Sequence, residues 1–550
     1  MNLTLTLLTG LILASFTTLH AADAATQLTP THRAAVEHQR RIFSQYDPAA
    51  DILREGGFGS DIDRLMGYVF GYVDQPGSQL DAICIDVSNE GVAHYRSKIL
   101  PEIQHPGLVK WRGEGIDYFS RMIEEGHRRG KEIWWGLRMN EVERGHLNGL
   151  DGGSTEMKMR NPVKAAHPEW LIQSWWWQGF WNYAVKEVRD YRLSIIKEVI
   201  DQYDFDGVHL DFLRHTPHLP PGQQWENRQH LTTFLVDLRR MLQTRAAERG
   251  RPIMLAVRIP DSVKGCQIDG FDVEAWAKQG LVDLFVIGTR TIQIDLASFR
   301  QVTSGTRVKL IPSFDSFHSA DGYQANPSVE FLRGVFANYW HQGADSVGIF
   351  NSPASTPEHG SRVGLRPSHH PSQAETISSI GSLETLAGRE RVYAIDRRGG
   401  YPHGEGYFSS NMGAQLPVKL RNNRAVANLT LPVWEIVKSD AEGRLRLILD
   451  QCVDTDEVVV SLNSTPMKRV LVDSAWKDPR LFLPAPQPAT MTAGAINKDL
   501  AKQRLTRVEF SVPGGALKRG ANEVAVSAVR TGPFPAGSYV TIEKVELDLK

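Results

Sequence analysis

One stretch of the chain presents a histidine, an aspartate and an arginine together at the end of an apolar run. It reads YDFDGVHLDFLR and ends at Arg214. Because side chains alternate along a strand, the apolar residues of the run share one face, while His209 and Asp211 share the other. Proteins bury such ionisable groups when they are hydrogen-bonded or take part in chemistry. His209 and Asp211 are therefore candidate catalytic residues.

The same alternation predicts inward-facing polar side chains at the ends of other apolar runs. They are Gln45, Asp47, Asp86, Arg138, Asn140, Glu141, Arg258 and Asn351. Cleavage of a glycosidic bond requires two acidic groups around one cavity: one protonates the leaving oxygen, and the other activates water or attacks the sugar carbon. We predict Asp211, with Asp47 or Glu141, in these roles. The alternative is structural, with Asp211 paired to Arg214 and the other two carboxylates orienting arginines.

Three arginines, Arg138, Arg214 and Arg258, are predicted to meet near the same acids. Planar guanidinium groups pair bidentately with carboxylates and sulfates, so an anionic sugar is the predicted ligand. The alternative is that each arginine neutralises one of the acids. Asn140 and Asn351 complete the predicted polar contacts to substrate.

His209 is predicted one layer deeper than Asp211. A buried histidine is most often structural, although a pKa near neutrality would also suit a general acid. His-x-Asp also looks like a pair of metal ligands, but the first strand lacks the His-x-His that a metal-dependent barrel hydrolase would usually show. We predict no metal and no cofactor.

A long loop carries a dense group of aromatic residues. It contains Trp170, Trp175, Trp176, Trp177, Phe180 and Trp181. Aromatic faces stack on sugar rings, so the three consecutive tryptophans predict a sugar subsite. The alternative is a hydrophobic lid packed on the domain, or a subunit contact.

Eight strand-like runs, most of them followed by a helical pattern, position these residues. The runs are 41–47, 80–87, 133–140, 208–212, 253–259, 283–287, 308–313 and 346–351. Helical patterns are readable at 62–73, 116–129, 185–203, 230–245, 273–279 and 330–341, and a short one at 375–388. Eight βα units predict an α/β fold, a (β/α)8 TIM barrel, in which active groups collect at the C-terminal strand ends.

The chain has 550 residues, of which 41% are hydrophobic, so it should divide into two or more domains. We predict a barrel over 38–352, a linker and helix over 353–390, and an antiparallel β-sandwich over 391–550, where short alternating strands are separated by turn residues. Residues 1–24 have the apolar run and Ala-Asp-Ala site of a signal peptide, which predicts a secreted or periplasmic protein; the alternative is an uncleaved anchor.

The net charge of −1 gives no electrostatic case for nucleic acid or for an anionic membrane as a partner. We expect a glycan or polysaccharide substrate and no membrane partner after signal cleavage. The sequence leaves open whether the protein forms a homodimer.

The run DGVHLDFLR resembles the fourth strand of bacterial glycoside-hydrolase-like barrels, D-G-[IV]-[HE]-[LF]-D-[FY]-x-R. The resemblance covers about 40–352 and implies a glycosidase whose substrate is unassigned. The chain is also similar to the glycoside hydrolase family 156 sialidases, which look like a barrel with a β-sandwich. That likeness implies an inverting pair, with Asp47 as base and His209, His146 or His167 as acid. The competing classes are a non-catalytic carbohydrate-binding barrel and a metal-dependent hydrolase.

Overall fold

The second half of the chain differs in architecture from the first. The computed structural model describes residues 28–47, 61–87, 91–140, 161–172, 179–288, 291–315, 328–350, 372–397, 411–421, 425–476, 504–530 and 539–550. These residues form a closed barrel of eight parallel strands, followed by antiparallel sheets. The predicted α/β class, the TIM barrel and the sandwich that follows it are confirmed.

The barrel strands follow one another around the barrel in chain order. They are β1 (Ile42–Tyr46), β2 (Leu80–Val87), β3 (Glu132–Arg138), β4 (Gly207–Asp211), β5 (Met254–Ile259), β6 (Leu284–Ile287), β7 (Lys309–Asp315) and β8 (Val347–Phe350). Strand β8 pairs with β1 and closes the barrel. Each predicted run contains its strand to within two residues, because strands buried on both faces read as continuous apolar runs.

Helices surround the barrel and fill its connections. They are α1 (Pro30–Glu37), α2 (Ile62–Asp74), α3 (Pro106–Gly113), α4 (Tyr118–Arg128), α5 (Pro162–Ala166), α6 (Lys186–Gln202), α7 (Gln229–Arg249), α8 (Val263–Asp269), α9 (Val273–Lys278), α10 (Leu296–Val302), α11 (Val329–His341), α12 (Ser372–Ser379) and α13 (Leu383–Leu386). The long ones and the six-residue α9 were predicted, and the short pattern predicted at 375–388 is divided between α12 and α13. Sequence reasoning missed α1, α3, α5, α8 and α10, which have five to eight residues each and begin at capping side chains.

The lower part of the barrel interior is apolar. Its core consists of Phe43, Ala82, Cys84, Trp134, Met254, Ala256, Leu284, Val286 and Ile311. Gly207 makes room for the indole of Trp134, since a Cβ at Gly207 would lie 2.3 Å from that ring. The polar side chains predicted on the inner face therefore sit above a packed floor, at the C-terminal strand ends. We call this face the barrel mouth.

The second domain is a pair of antiparallel sheets. Its strands are β9 (Arg391–Ala394), β10 (Val418–Leu420), β11 (Val426–Val433), β12 (Glu442–Asp450), β13 (Glu457–Leu462), β14 (Lys468–Asp473), β15 (Leu505–Pro513), β16 (Gly520–Val529) and β17 (Val540–Leu549). One sheet has the order β9-β17-β12-β15-β14, with β10 also on β17, and the other has the order β11-β16-β13, with the two-residue strand Thr465–Pro466 beyond β13 at its edge. Leu445, Leu447 and Leu449 of β12 are fully buried in the core between them, as alternation predicts.

Helix α11 joins the two domains. A Cβ at Gly334 would lie 2.0 Å from the carbonyl oxygen of Val392 in β9, so only glycine permits this approach. The side chain of Asn338 donates to the Pro432 carbonyl oxygen at 3.0 Å and accepts from the Trp434 N–H at 2.9 Å. The sandwich is thereby hydrogen-bonded to a helix of the barrel.

Candidate active site

Three adjacent strands present oppositely charged side chains side by side at the barrel mouth. In the strand register, Arg138 of β3 is the direct neighbour of Asp211 of β4, and Asp211 is the direct neighbour of Arg258 of β5. Asp47 follows the last residue of β1. The structure therefore brings together four of the residues that the sequence placed at the strand ends.

Asp211 and Arg258 form a buried bidentate ion pair. The two guanidinium–carboxylate distances are 2.7 Å (Nε to Oδ1) and 2.6 Å (Nη2 to Oδ2). The backbone N–H groups of Leu213 and Arg214 also donate to Oδ1, at 2.9 and 3.0 Å. Burial pushes the pKa of Asp211 up, but Arg258, with His209 and Arg138, brings it below its usual value. Asp211 is thus an ionised carboxylate that is fully shielded in this conformation.

Asp211 forms its ion pair with Arg258 and not with Arg214, the partner that the sequence suggested for a structural ion pair. Arg214 reaches Asp211 through its backbone N–H, while the carboxylate binds the Arg258 side chain. The guanidinium of Arg258 also lies 4.0 Å over the ring of Phe350 in β8. Arg258 is therefore fixed between a carboxylate and an aromatic face. The side chain of Arg214 is half-buried.

Asp47 is the accessible carboxylate of the group. Its Oδ2 lies 2.6 Å from Nη2 of Arg138, and its side chain is 24% exposed, against 6% for Arg138. Arg192 of α6 donates to the backbone carbonyl of Arg138 at 2.6 Å and so fixes the end of β3. Sequence reasoning missed Arg192, which is buried on a helix whose pattern predicted only its apolar contacts.

His209 lies below this layer, as predicted. It is fully buried, its ring centroid is 5.9 Å from that of Phe43, and neither ring nitrogen has a hydrogen-bond partner among the described residues. Burial lowers its pKa to about 4, although the nearby Asp211 acts in the opposite direction. His209 is therefore in its neutral form at pH 7, and the one N–H of a neutral imidazole is too weak an acid to protonate a leaving group.

Asn140 connects loops at the mouth. Its Nδ2 donates to the Pro217 carbonyl at 2.7 Å, and its Oδ1 accepts from the Trp181 N–H at 2.8 Å. Asn140 is fully buried, so it shapes the mouth by tying the end of β3 to the connection after β4 and to the aromatic loop. The other predicted site residues, Glu141, Trp175, Trp176, Trp177 and Asn351, lie outside the described residues, as does His146.

Sequence analysis did not identify two features of the barrel mouth. His94, in the connection after β2, is buried near Asp47 and Arg138, and burial lowers its pKa to about 4. Trp225, in the connection after β4, is 36% exposed, and the guanidinium of Arg228 lies 4.4 Å over its ring. An exposed tryptophan in such a connection is a candidate sugar-stacking surface, but exposure cannot be read from a lone tryptophan in sequence.

Part of the chain resembles a known family. Residues 73–230 match the family model Glycosyl hydrolase-like 10. The matched stretch includes Arg138, His209 and Asp211, whereas Asp47 and Arg258 lie outside it.

Curated relatives agree with this match. The chain is 28% identical over 137 residues to the glycosyl hydrolase YngK of Bacillus subtilis (strain 168), which is 24% of each protein. It is 26% identical over 134 residues to the glycosyl hydrolase DigH of Escherichia coli (strain K12), which is 24% of this chain and 30% of that protein. The chain thus matches less than a third of the length of these relatives. They support a glycoside-hydrolase-like barrel.

A solved structure, alpha-L-fucosidase isoenzyme 2 from Paenibacillus thiaminolyticus, aligns with 65% of this chain and 51% of its own at 12% identity and a TM-score of 0.39. The described part of the chain contains no cluster of three or more His, Cys, Asp or Glu side chains suited to a metal ion, and no helix there is long and apolar enough to cross a membrane.

Proposed function

We propose that the protein is a glycoside hydrolase that cleaves a glycosidic bond of a glycan at the barrel mouth. The main support for this proposal is the position of Asp47. Its carboxylate is partly exposed at the end of β1 and is paired with Arg138 of β3. The match of residues 73–230 to a glycosyl-hydrolase-like family supports the same reaction class. Active groups of TIM barrels collect at this face.

Asp47 is the group that we assign to direct contact with the sugar. A carboxylate that accepts a charge-assisted hydrogen bond from arginine suits a base or nucleophile. Glu141 follows Asn140 directly in the chain, beyond the end of β3, and we assign it the role of proton donor. Asp211 is then a positioning residue that holds Arg258, because substrate does not reach a fully buried carboxylate in this conformation.

The preferred substrate carries a negative charge, from a sialic, uronic or sulfated sugar. Support comes from three arginines of one mouth, Arg138, Arg214 and Arg258. Arg138 pairs with Asp47, and Arg258 pairs with Asp211. A substrate anion would therefore either compete with these carboxylates for the guanidinium groups or bind beside them. A carboxylate or sulfate that accepts from a guanidinium fork would give orientation as well as affinity.

The test is release of reducing sugar from neutral, uronic, sulfated and sialylated glycans by wild type and by Asp47→Asn. Loss of a group in acid–base or covalent catalysis typically lowers the rate by 10²-fold or more, so we expect at least about that loss in kcat. Asp190→Asn, on the exposed face of α6, is the matched control and should retain full activity. Full activity of Asp47→Asn would remove Asp47 from the mechanism.

A second candidate is a non-catalytic carbohydrate-binding protein. One observation favours it: Asp211 is fully paired and buried, which leaves Asp47 as the reachable one of these two carboxylates. Glycosidases usually need two. Binding of a glycan without release of reducing sugar would establish this candidate.

Two finer parts of the proposal concern the sialidase likeness and export. A histidine that acts as the general acid would be His146 or His167, since the pKa of His209 is lowered to about 4. Release of free sialic acid with inversion at the anomeric carbon would support this assignment.

We also propose export through residues 1–24. Sequencing of the amino terminus of the mature protein tests it, and retention of Met1 would contradict it.

A further inference from the structure

The most exposed aromatic side chain of the described residues lies at the C-terminal end of the barrel. Trp225 is 36% exposed, whereas Trp134 and Trp135 of β3 are fully buried. Trp225 belongs to the connection between β4 and α7, and connections that follow barrel strands lie at the C-terminal face. Its ring is therefore at the same end of the barrel as Asp47 and Asp211.

The segment that carries Trp225 is fixed to the barrel mouth on both sides. Toward β3, the Pro217 carbonyl accepts from Nδ2 of Asn140 at 2.7 Å. Toward β5, a Cβ at Gly270 would lie 2.4 Å from the carbonyl oxygen of Gln224, so the two segments are in close contact. These contacts place Trp225 beside the mouth, on the side of β4 and β5.

Arg228 holds the indole ring of Trp225 in one orientation. Its guanidinium lies 4.4 Å over the ring, and its Nη1 donates to the Trp225 carbonyl at 2.8 Å. Its Nε donates to Oδ2 of Asp272, at the start of α9, at 3.2 Å. The exposed part of the ring is thus preorganised, so a ligand that packs on it would lose little affinity to ordering of the side chain.

The surroundings of the ring favour a sugar over a protein partner. The neighbouring residues Gln223, Glu226 and Gln229 are exposed and polar. A docking surface for a protein needs a contiguous apolar patch, which a lone ring among polar side chains does not provide. A pyranose ring matches this arrangement, because its C–H face packs on an aromatic ring while the hydroxyl groups at its edge reach polar neighbours.

Trp225 and Asp47 lie on different sides of the mouth. Strand β1, which ends next to Asp47, is separated from β4 by β2 and β3 on one side and by four strands on the other. Neighbouring strands are about 4.8 Å apart, so the shorter way covers three such spacings. A single sugar ring is narrower than this. A ligand that contacts both residues must therefore be a chain of sugar units.

We propose that Trp225 is a stacking platform for one unit of an extended glycan, remote from the bond that is cleaved at Asp47. The inference rests on the proposed function and adds the substrate class to it: an oligosaccharide or polysaccharide, and not a single sugar on a small group. The glycan crosses the mouth from the end of β1 to the connection after β4.

Calorimetric titration of the full chain with soluble polysaccharides tests the platform. The probes are polygalacturonate, heparin and polysialic acid, with dextran as the neutral comparison. We expect wild type to bind at least one of them, and Trp225→Ala to bind it about tenfold more weakly, the effect of losing one aromatic contact. Trp225→Tyr retains an aromatic face and should restore most of the affinity, which a purely structural role of the indole would not predict.

Two further readouts sharpen this test. Wild type should bind a long oligosaccharide of the same polymer more tightly than its disaccharide, and Trp225→Ala should lose most of this gain. Covalent labelling of tryptophan in wild type, followed by peptide mapping, needs no variant: bound polysaccharide should decrease labelling of Trp225. Ile436→Ala is the matched control, because Ile436 is a 79% exposed apolar residue of the sandwich domain, and it should bind as wild type does.

The outcomes separate the platform from the proposed function. Equal binding by Trp225→Ala and wild type, unchanged labelling of Trp225, or no binding of any of the four polysaccharides would overturn the platform. Binding that depends on Trp225 in a protein that releases no reducing sugar would retain the platform and overturn the hydrolase. Hydrolysis of a glycan whose binding does not depend on Trp225 would do the reverse.

Discussion

Two buried aspartates at neighbouring barrel strands have opposite electrostatics. Asp211 of β4 faces Arg258, and its pKa lies below the usual value. Asp261, just after β5, accepts from the backbone N–H of Asn411 at 2.6 Å and has no ion pair within the described structure. Burial, which the negative charge of Asp295 reinforces, raises the pKa of Asp261 to about 7. The difference shows that the partner, more than burial, decides whether a buried acid is ionised.

The largest expected effect follows from removing one member of the mouth pair. Asp211→Asn removes the negative charge that pairs bidentately with the guanidinium of Arg258, which is buried and 2% exposed. Breaking a buried ion pair typically costs about 3–5 kcal/mol, so we expect the free energy of unfolding to fall by that amount. Urea denaturation measures it. Loss of activity in this variant would consequently report on folding as well as on catalysis.

A paired replacement separates the charge from the packing. Asp211→Leu together with Arg258→Met removes both charges, and apolar residues of similar volume often replace a buried pair at little cost. We expect the double variant to be more stable than either single variant. Additive losses would mean that the pair itself, rather than an uncompensated charge, stabilises the barrel mouth.

The next effect concerns pH. The pKa of Asp261 is higher in the folded protein than the ordinary 3.8, so its contribution to stability is complete below about pH 4 and is lost as pH rises through about 7. Asp261→Asn removes this dependence. We expect wild type to lose on the order of 3 kcal/mol relative to the variant between pH 4 and pH 8. Denaturation of both proteins across this range gives the difference, and a flat difference curve would contradict the assignment.

The sequence was sufficient to predict which side chains enter the barrel but not how they pair. Period-two alternation predicted that Asp211 and Arg258 face inward, because the barrel strands obey it closely. The pairing depends on the register between β4 and β5, which join residues 47 positions apart. Sequence proximity favoured Arg214, three residues from Asp211, whose contact to the carboxylate is made by the backbone.

The sequence could not predict features that form between segments far apart along the chain. Asp261 meets Asn411 across 150 positions, where a barrel connection contacts the start of the sandwich. A cavity of about 160 Å³ beside Trp111 is lined in part by α3, a helix of eight residues that sequence analysis did not identify. Neither arrangement leaves a local pattern, since each arises from packing of connections and not from the regular elements that periodicity identifies.

The smallest expected effect is that of removing a solvent-exposed ion pair. Lys186 and Asp190 of α6 form an i,i+4 pair at 2.5 Å, a geometry as close as that of Asp211 and Arg258, but their side chains are 71% and 56% exposed. Exposed pairs of this kind contribute about 0.3–0.5 kcal/mol, so Asp190→Asn should change the free energy of unfolding by no more than that. Denaturation in low and high salt measures it, because screening should remove the small effect. A loss comparable to that of Asp211→Asn would show that distance, and not exposure, sets the strength of ion pairs in this protein.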